Sequence, residues 1–134
     1  RFGDFDIFAF MQATEPLRPK NILTKCINLL LRNKKLNSAF AAYEYKKNFW
    51  IKNKINFKLI SPKKNIGVPR QSTNKINVYR EDCGISLVSR KKILKLKKLY
   101  SQPLKLVPYN TFHGFLDIHS KKDIKFGENL IKFI

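Results

Sequence analysis

The sequence predicts an α/β domain with a mainly parallel sheet and flanking helices, and three features near its start predict it. Asp6-Ile-Phe-Ala-Phe-Met11 is a short unbroken apolar run, the pattern of a strand covered on both faces. From Lys20 to about Lys34, the apolar residues Ile22, Leu23, Cys26, Ile27, Leu30 and Leu31 recur on one helical face. Residues 37–43 are again small and apolar, so strand, helix and strand form a βαβ unit whose right-handed crossover implies parallel strands.

The remaining elements follow in chain order. Pro16 and Pro19 punctuate a loop and mark the start of the helix, on whose apolar face Cys26 reads as core. After Glu44 the texture changes: residues 45–77 are basic, hold one candidate strand at 55–60, and carry turn residues around Pro62, Asn65, Gly67 and Pro69. Strand character returns at 84–88. Ser89 is placed to cap a short helix through about Leu96, and 104–107 and 115–118 are further short strands. Ser120 with Asp123 has the spacing of a capping box, opening a closing helix whose Ile124, Gly127, Ile131 and Ile134 share a face. The expectation is one domain over residues 1–134, with 45–80 as an insertion.

Composition narrows the class. With 134 residues, 43% of them hydrophobic and 13% aromatic, the chain has enough apolar material for a packed core and is not a disordered basic tail. Its formal charge of +19 invites a nucleic-acid reading. Yet the excess is lysine: 22 Lys stand beside 14 Ile and 12 Asn, residues that share AT-rich codons, against only 6 Arg. Arginine is the residue that grips phosphate with two prongs, and the densest basic run, 90–98, is interleaved with apolar residues at helical spacing. A compositional origin therefore outweighs nucleic-acid recognition. No apolar run has membrane-spanning length, and Cys26 and Cys83 have neither metal-site nor disulfide-framework spacing, so the chain reads as a soluble cytoplasmic domain. It begins with Arg rather than Met, close to an apolar run, as a fragment would.

In an open α/β sheet, ligands gather at the carboxyl ends of strands. Two polar clusters stand there: Gln12-Ala-Thr-Glu-Pro-Leu-Arg18 after the first strand, and Asp117 with His119 after the last. A carboxylate so placed suits Mg²⁺, which takes one or two carboxylates together with phosphate oxygens and water. Spacing alone leaves Asp117 equally suited to capping the next helix, and Gln12 to satisfying loop backbone.

Residues 12–18 resemble the Gln-Pro-Thr-Ser-Pro-Leu-Arg motif of the acylneuraminate cytidylyltransferases, the CMP-sialic acid synthetase family. Three further segments resemble family motifs in the same order: Lys47-Asn-Phe-Trp50, then Pro69-Arg-Gln71 with Tyr79-Arg-Glu-Asp-Cys-Gly84, then Leu116-Asp-Ile-His119. The resemblance implies a Rossmann-like nucleotidyltransferase fold acting as a homodimer, with residues 45–80 forming a small dimerisation lobe that reaches the neighbouring active site. It implies transfer of CMP from CTP to a nine-carbon 2-keto sugar acid, sialic, legionaminic or pseudaminic in type, with release of pyrophosphate. By the same resemblance Gln12 and Thr14 hydrogen-bond sugar or nucleotide, Lys47, Arg70, Gln71 and Arg80 face carboxylate or phosphates, and Asp117 holds Mg²⁺. The implied catalytic set is Gln12, Arg70 and Asp117, while Arg18 is expected to brace its loop, against Asp6.

Departures from the pattern bound this carry-over. His119 stands at the family's second aspartate, and imidazole is a poor Mg²⁺ ligand. Glu15-Pro-Leu17 is similar instead to the KDO cytidylyltransferases, and Leu87 stands near a family tyrosine that borders the sugar. His113 reads as a solvated loop residue. The family's N-terminal strand and Ala-Arg-x-Gly-Ser-Lys loop, which cradles the triphosphate, have no counterpart, so these residues alone are expected to show negligible turnover.

Overall fold

A computed structural model of the chain describes residues 3–45, 49–60 and 78–133. It divides into two compact units, Arg1–Tyr43 with Glu81–Ile134, and Glu44–Arg80.

In the first unit the opening apolar run forms β1 (Ile7–Phe10), the amphipathic stretch forms α1 (Ile22–Arg32), and β2 runs over Ser38–Tyr45 into the second unit. α1 begins after Asn21, which holds a left-handed conformation (φ 61°) that asparagine tolerates better than most residues. Ile22, Cys26 and Leu30 are its buried stripe, as their i, i+4, i+8 spacing requires, and they pack with Ala39, Ala41, Ile85, Val88 and Val107. Cys26 is fully buried, so the core reading of this residue holds.

The sheet is mixed rather than purely parallel. β6 (Leu87–Arg90) lies between β1 and β2 and is antiparallel to both, pairing Phe10 with Leu87 on one side and Phe40 with Leu87 on the other. β1 and β2 therefore run in the same direction, as the βαβ reading expects, but they are not neighbours. β7 (Leu104–Tyr109) pairs in parallel with the other edge of β2, Ser38 against Leu104 through Tyr43 against Tyr109. β5 (Val78–Glu81) also neighbours β2.

Several local expectations are corrected. Ser89 is a β6 residue, not a helix cap: its hydroxyl lies in a buried chain in which Ser101 N donates to Ser38 Oγ at 3.0 Å, Ser38 and Ser89 meet at 2.8 Å, and Ser89 donates to the Leu99 carbonyl at 2.7 Å. The segment after β6 is a 3₁₀ helix, Lys91–Leu96, entered without a side-chain cap. Phe112–Phe115 is 3₁₀ helix, and 116–118 is extended chain outside the sheet, so no strand forms at 115–118. The closing helix α2 (Lys121–Leu130) does carry the Ser120–Asp123 capping box. Of its expected apolar face only Gly127 is buried, beneath Leu116; Ile124 and Ile131 are exposed, and Ile134 lies outside the described residues.

Arg90 was legible only as one more cation, yet it terminates α1. Its Nε donates to the Leu36 carbonyl at 2.7 Å, and Nη2 donates to the carbonyls of Leu30 at 2.8 Å and Asn33 at 3.2 Å. A helix end leaves four carbonyls without intrahelical donors, and the guanidinium supplies Leu30's. Arg90→Ala is expected to destabilise the domain by about 2 kcal/mol, since charged hydrogen bonds are lost and their acceptors strand in part-buried positions. Arg90→Lys, with one terminal nitrogen, recovers less than half of that; chemical denaturation midpoints of both variants check it.

In the second unit, β3 (Trp50–Asn53) and β4 (Asn56–Leu59) form an antiparallel hairpin, pairing Trp50 with Leu59 and Lys52 with Phe57. β4 coincides with the strand expected near 55–60, while β3 was not anticipated. Trp50, Ile51, Ile55, Phe57 and Ile60 are all exposed.

Candidate active site

Three stretches widely separated in sequence meet at one end of the first unit. After β1 the chain turns through Gln12-Ala-Thr-Glu-Pro-Leu-Arg18, and the Gln12 amide donates to the Gly84 carbonyl at 2.8 Å. The Ile118 amide donates to the Thr14 carbonyl at 2.8 Å, which ties the segment carrying Asp117 and His119 to the same loop. Arg18 binds all of this from beneath: Nη2 donates to the Gln12 carbonyl at 2.7 Å, Nη1 to Pro16 at 3.4 Å, and Nε to Ile85 at 3.0 Å. It braces the loop as expected, but through these carbonyls rather than Asp6, because the planar fork matches three acceptors that a single carboxylate cannot.

Gly84 is required by closeness. A Cβ there would stand 1.6 Å from Glu15 Oε2 and 2.6 Å from Gln12 Oε1, so both motif-loop side chains lie directly against its backbone. Gln12 itself is exposed, and Thr14 and Glu15 are half-buried.

The Asp117 reading is sharpened by its neighbours. The helix cap belongs to Asp123, whose Oδ2 accepts from the amides of His119 at 3.0 Å and Ser120 at 2.7 Å and from the Ser120 hydroxyl at 2.9 Å. These bonds hold the Asp123 carboxyl below its ordinary value, so the cap persists as pH falls until that lowered value is reached. Asp117 is thus released from capping. Its side chain is 47% exposed, and its Oδ2 lies 2.8 Å from His119 Nε2. Among the described residues no cluster of three His, Cys, Asp or Glu could hold a metal. One accessible carboxylate is still a donor that Mg²⁺ accepts when phosphate oxygens and water complete its shell.

Other candidates fall elsewhere. Arg80 belongs to the second unit, where its guanidinium lies over the Tyr45 ring at 5.9 Å. Lys47, Arg70 and Gln71 lie outside the described residues. Leu87 is fully buried within β6. His113 is half-buried in a 3₁₀ helix, its Nδ1 is 2.7 Å from Thr111 Oγ1, and burial lowers its pKa. Cys83, beside Gly84, bonds Glu81 Oε1 at 3.2 Å; burial and the adjacent carboxylates push its thiol far up, which makes it a poor nucleophile.

A mixed sheet with α1 packed on it, and loops gathered at the strand ends, make an α/β fold. One solved structure to which the chain is similar is that of 4-diphosphocytidyl-2C-methyl-D-erythritol synthase from Anaerococcus prevotii DSM 20548, with a TM-score of 0.64 over 95% of this chain and 16% identity. The chain spans 59% of the length of that protein. No protein-family model matches the chain, and no characterised protein matches it by sequence. Among the described residues no helix is long and apolar enough to cross a membrane.

Proposed function

We propose that the chain is the larger part of a cytidylyltransferase that joins CMP from CTP to a nine-carbon 2-keto sugar acid. The observation that carries this reading is the convergence of the 12–18, 82–86 and 117–119 segments on one another through the Gln12–Gly84, Arg18–Ile85 and Ile118–Thr14 bonds. Three of the motif segments that suggest such an enzyme are thereby built into one loop cluster. Likeness to a diphosphocytidyl synthase supports the CTP half, and the Gln12–Arg18 motif supports the acid half.

In this reading the anomeric hydroxyl attacks the α-phosphorus in line, the new O–P bond forms as the bond to the β-phosphate breaks, and pyrophosphate leaves while the hydroxyl proton passes to solvent. The work of the protein is positioning and charge compensation. Gln12 and Thr14 orient sugar and nucleotide. The motif resemblance alone assigns Arg70, Gln71, Arg80 and Lys47 to carboxylate and phosphates, and Asp117 would hold Mg²⁺, which would supply charge neutralisation at the phosphates when bound. The exposed Trp50, Ile55, Phe57 and Ile60 of the hairpin unit favour pairing with a second copy, since an isolated two-stranded hairpin is marginal in water.

The test supplies the full-length protein with CTP, Mg²⁺ and a panel of acceptors, and reads pyrophosphate. Release with a nine-carbon acid is the expected result. Release only with the eight-carbon acid KDO reassigns the acceptor in line with Glu15-Pro-Leu17, and release only with a methylerythritol acceptor reassigns it to the neighbour's chemistry. No release from a folded protein overturns the reading.

A further inference from the structure

The short segment 82–86 interrupts pairing along β2 and supplies the carbonyls that the motif loop needs. Ala41 pins both of its ends, donating its amide to the Ser86 carbonyl at 2.8 Å and accepting from the Asp82 amide at 3.0 Å. The Asp82 carbonyl closes the turn from inside, accepting from Ile85 at 3.1 Å and Ser86 at 3.4 Å. The outer carbonyls, Gly84 and Ile85, receive Gln12 and Arg18.

An aspartate side chain at the root of this turn is costly to bury, and Asp82 is only 4% exposed. It is met by Tyr109, the last residue of β7, which is 8% exposed, whose hydroxyl donates to Asp82 Oδ2 and whose ring lies edge-on to Tyr43 at 5.4 Å. The bond crosses from the β7 side of the sheet to the turn, fixing it with a contact that local sequence does not supply.

We propose that Tyr109 and Asp82 form a positioning pair: their hydrogen bond sets the 83–85 turn, and through the Gly84 carbonyl it sets where Gln12 stands. The strut itself follows from these contacts; its effect on catalysis rests on the cytidylyltransferase reading. Neither residue touches substrate in this assignment, and both act through Gln12.

Tyr109→Phe removes one oxygen and keeps the packed ring, so the fold survives, while Asp82→Asn keeps an oxygen that Tyr109 can still donate to. Amide exchange followed by NMR should show the Gln12 amide opening about fivefold faster in Tyr109→Phe, the equivalent of one net hydrogen bond. Leu30 and Val88 amides should not change, and Asp82→Asn should stay near wild type. Unchanged Gln12 exchange, or a rise shared equally with Leu30 and Val88, overturns the strut. In the turnover assay Tyr109→Phe should raise the acceptor KM about fivefold and leave kcat within twofold. A loosened Gln12 with an unmoved KM in an active enzyme overturns the coupling to the site. An inactive wild type counts against the cytidylyltransferase reading alone, and exchange still decides the strut.

Discussion

Asp117→Ala is expected to lower pyrophosphate release by at least about 100-fold, the scale of losing one charge-compensating group at a transferring phosphoryl centre. It should do so with little change in stability. Its carboxylate is half-exposed and among the described residues pairs across the surface with His119, a kind of contact worth at most about 1 kcal/mol. The start of α2 does not depend on it, because Asp123 takes the amides of His119 and Ser120. Asp117→Asn separates shape from charge: it can still bond His119, but it carries no negative charge for a cation, so it should fail as Asp117→Ala does. Asp123→Ala is the converse control, lowering thermal stability through loss of the cap while the carboxylate at 117 stays in place. His119→Asp places a second carboxylate beside Asp117 and should lower the Mg²⁺ concentration for half-maximal activity. Full release by Asp117→Ala would overturn the proposed Mg²⁺ role of Asp117 and leave its pairing with His119.

What could be read in the chain beforehand divides along a physical line. Patterns that repeat locally were legible: the Ile22, Cys26, Leu30 stripe, the Ser120–Asp123 box and the Gln12–Arg18 loop each lie within one element, where spacing and geometry are directly linked. The insertion of β6 between β1 and β2 was not, because strand order depends on where the chain returns after an excursion, and apolar runs do not encode a neighbour. Ser89 shows the same limit: a serine beside a basic helical-looking run reads as a cap, but its hydroxyl is claimed by Ser38 and Leu99 across the sheet.

Two arginines act on the backbone. Arg18, expected to brace its loop, and Arg90, read only as part of a basic run, each spend their guanidinium on three backbone carbonyls. A lysine's three donors radiate from one nitrogen on a flexible stem, whereas a guanidinium spreads its donors over three nitrogens in a fixed plane, which suits separated backbone carbonyls such as these. That further weakens a nucleic-acid reading of the charge, since these two of the six arginines are turned toward the protein's own backbone.

Gly84→Ala is expected to cost far more activity than stability. The new methyl would lie 1.6 Å from Glu15 Oε2, 2.7 Å from Glu15 Cδ and 2.6 Å from Gln12 Oε1, distances that no packing tolerates. All three atoms belong to side chains that can rotate away, and the backbone bond from the Gln12 amide to the Gly84 carbonyl lies outside the collision. The unfolding free energy, read by chemical denaturation, should therefore fall by no more than about 1–2 kcal/mol, the lower range for overpacking. What rotates away, however, is the Gln12 side-chain carboxamide that the proposed reaction uses to orient sugar or nucleotide, so kcat/KM should fall at least about tenfold, as misplaced positioning groups do. Glu15→Ala combined with Gly84→Ala distinguishes the two effects. The double variant removes both Glu15 contacts but not the one with Gln12, so it should regain stability while staying impaired in turnover. If Gly84→Ala instead keeps wild-type kcat/KM, Gln12 is not needed where the loop holds it. The closeness of Gly84 would then be a packing requirement of the loop alone.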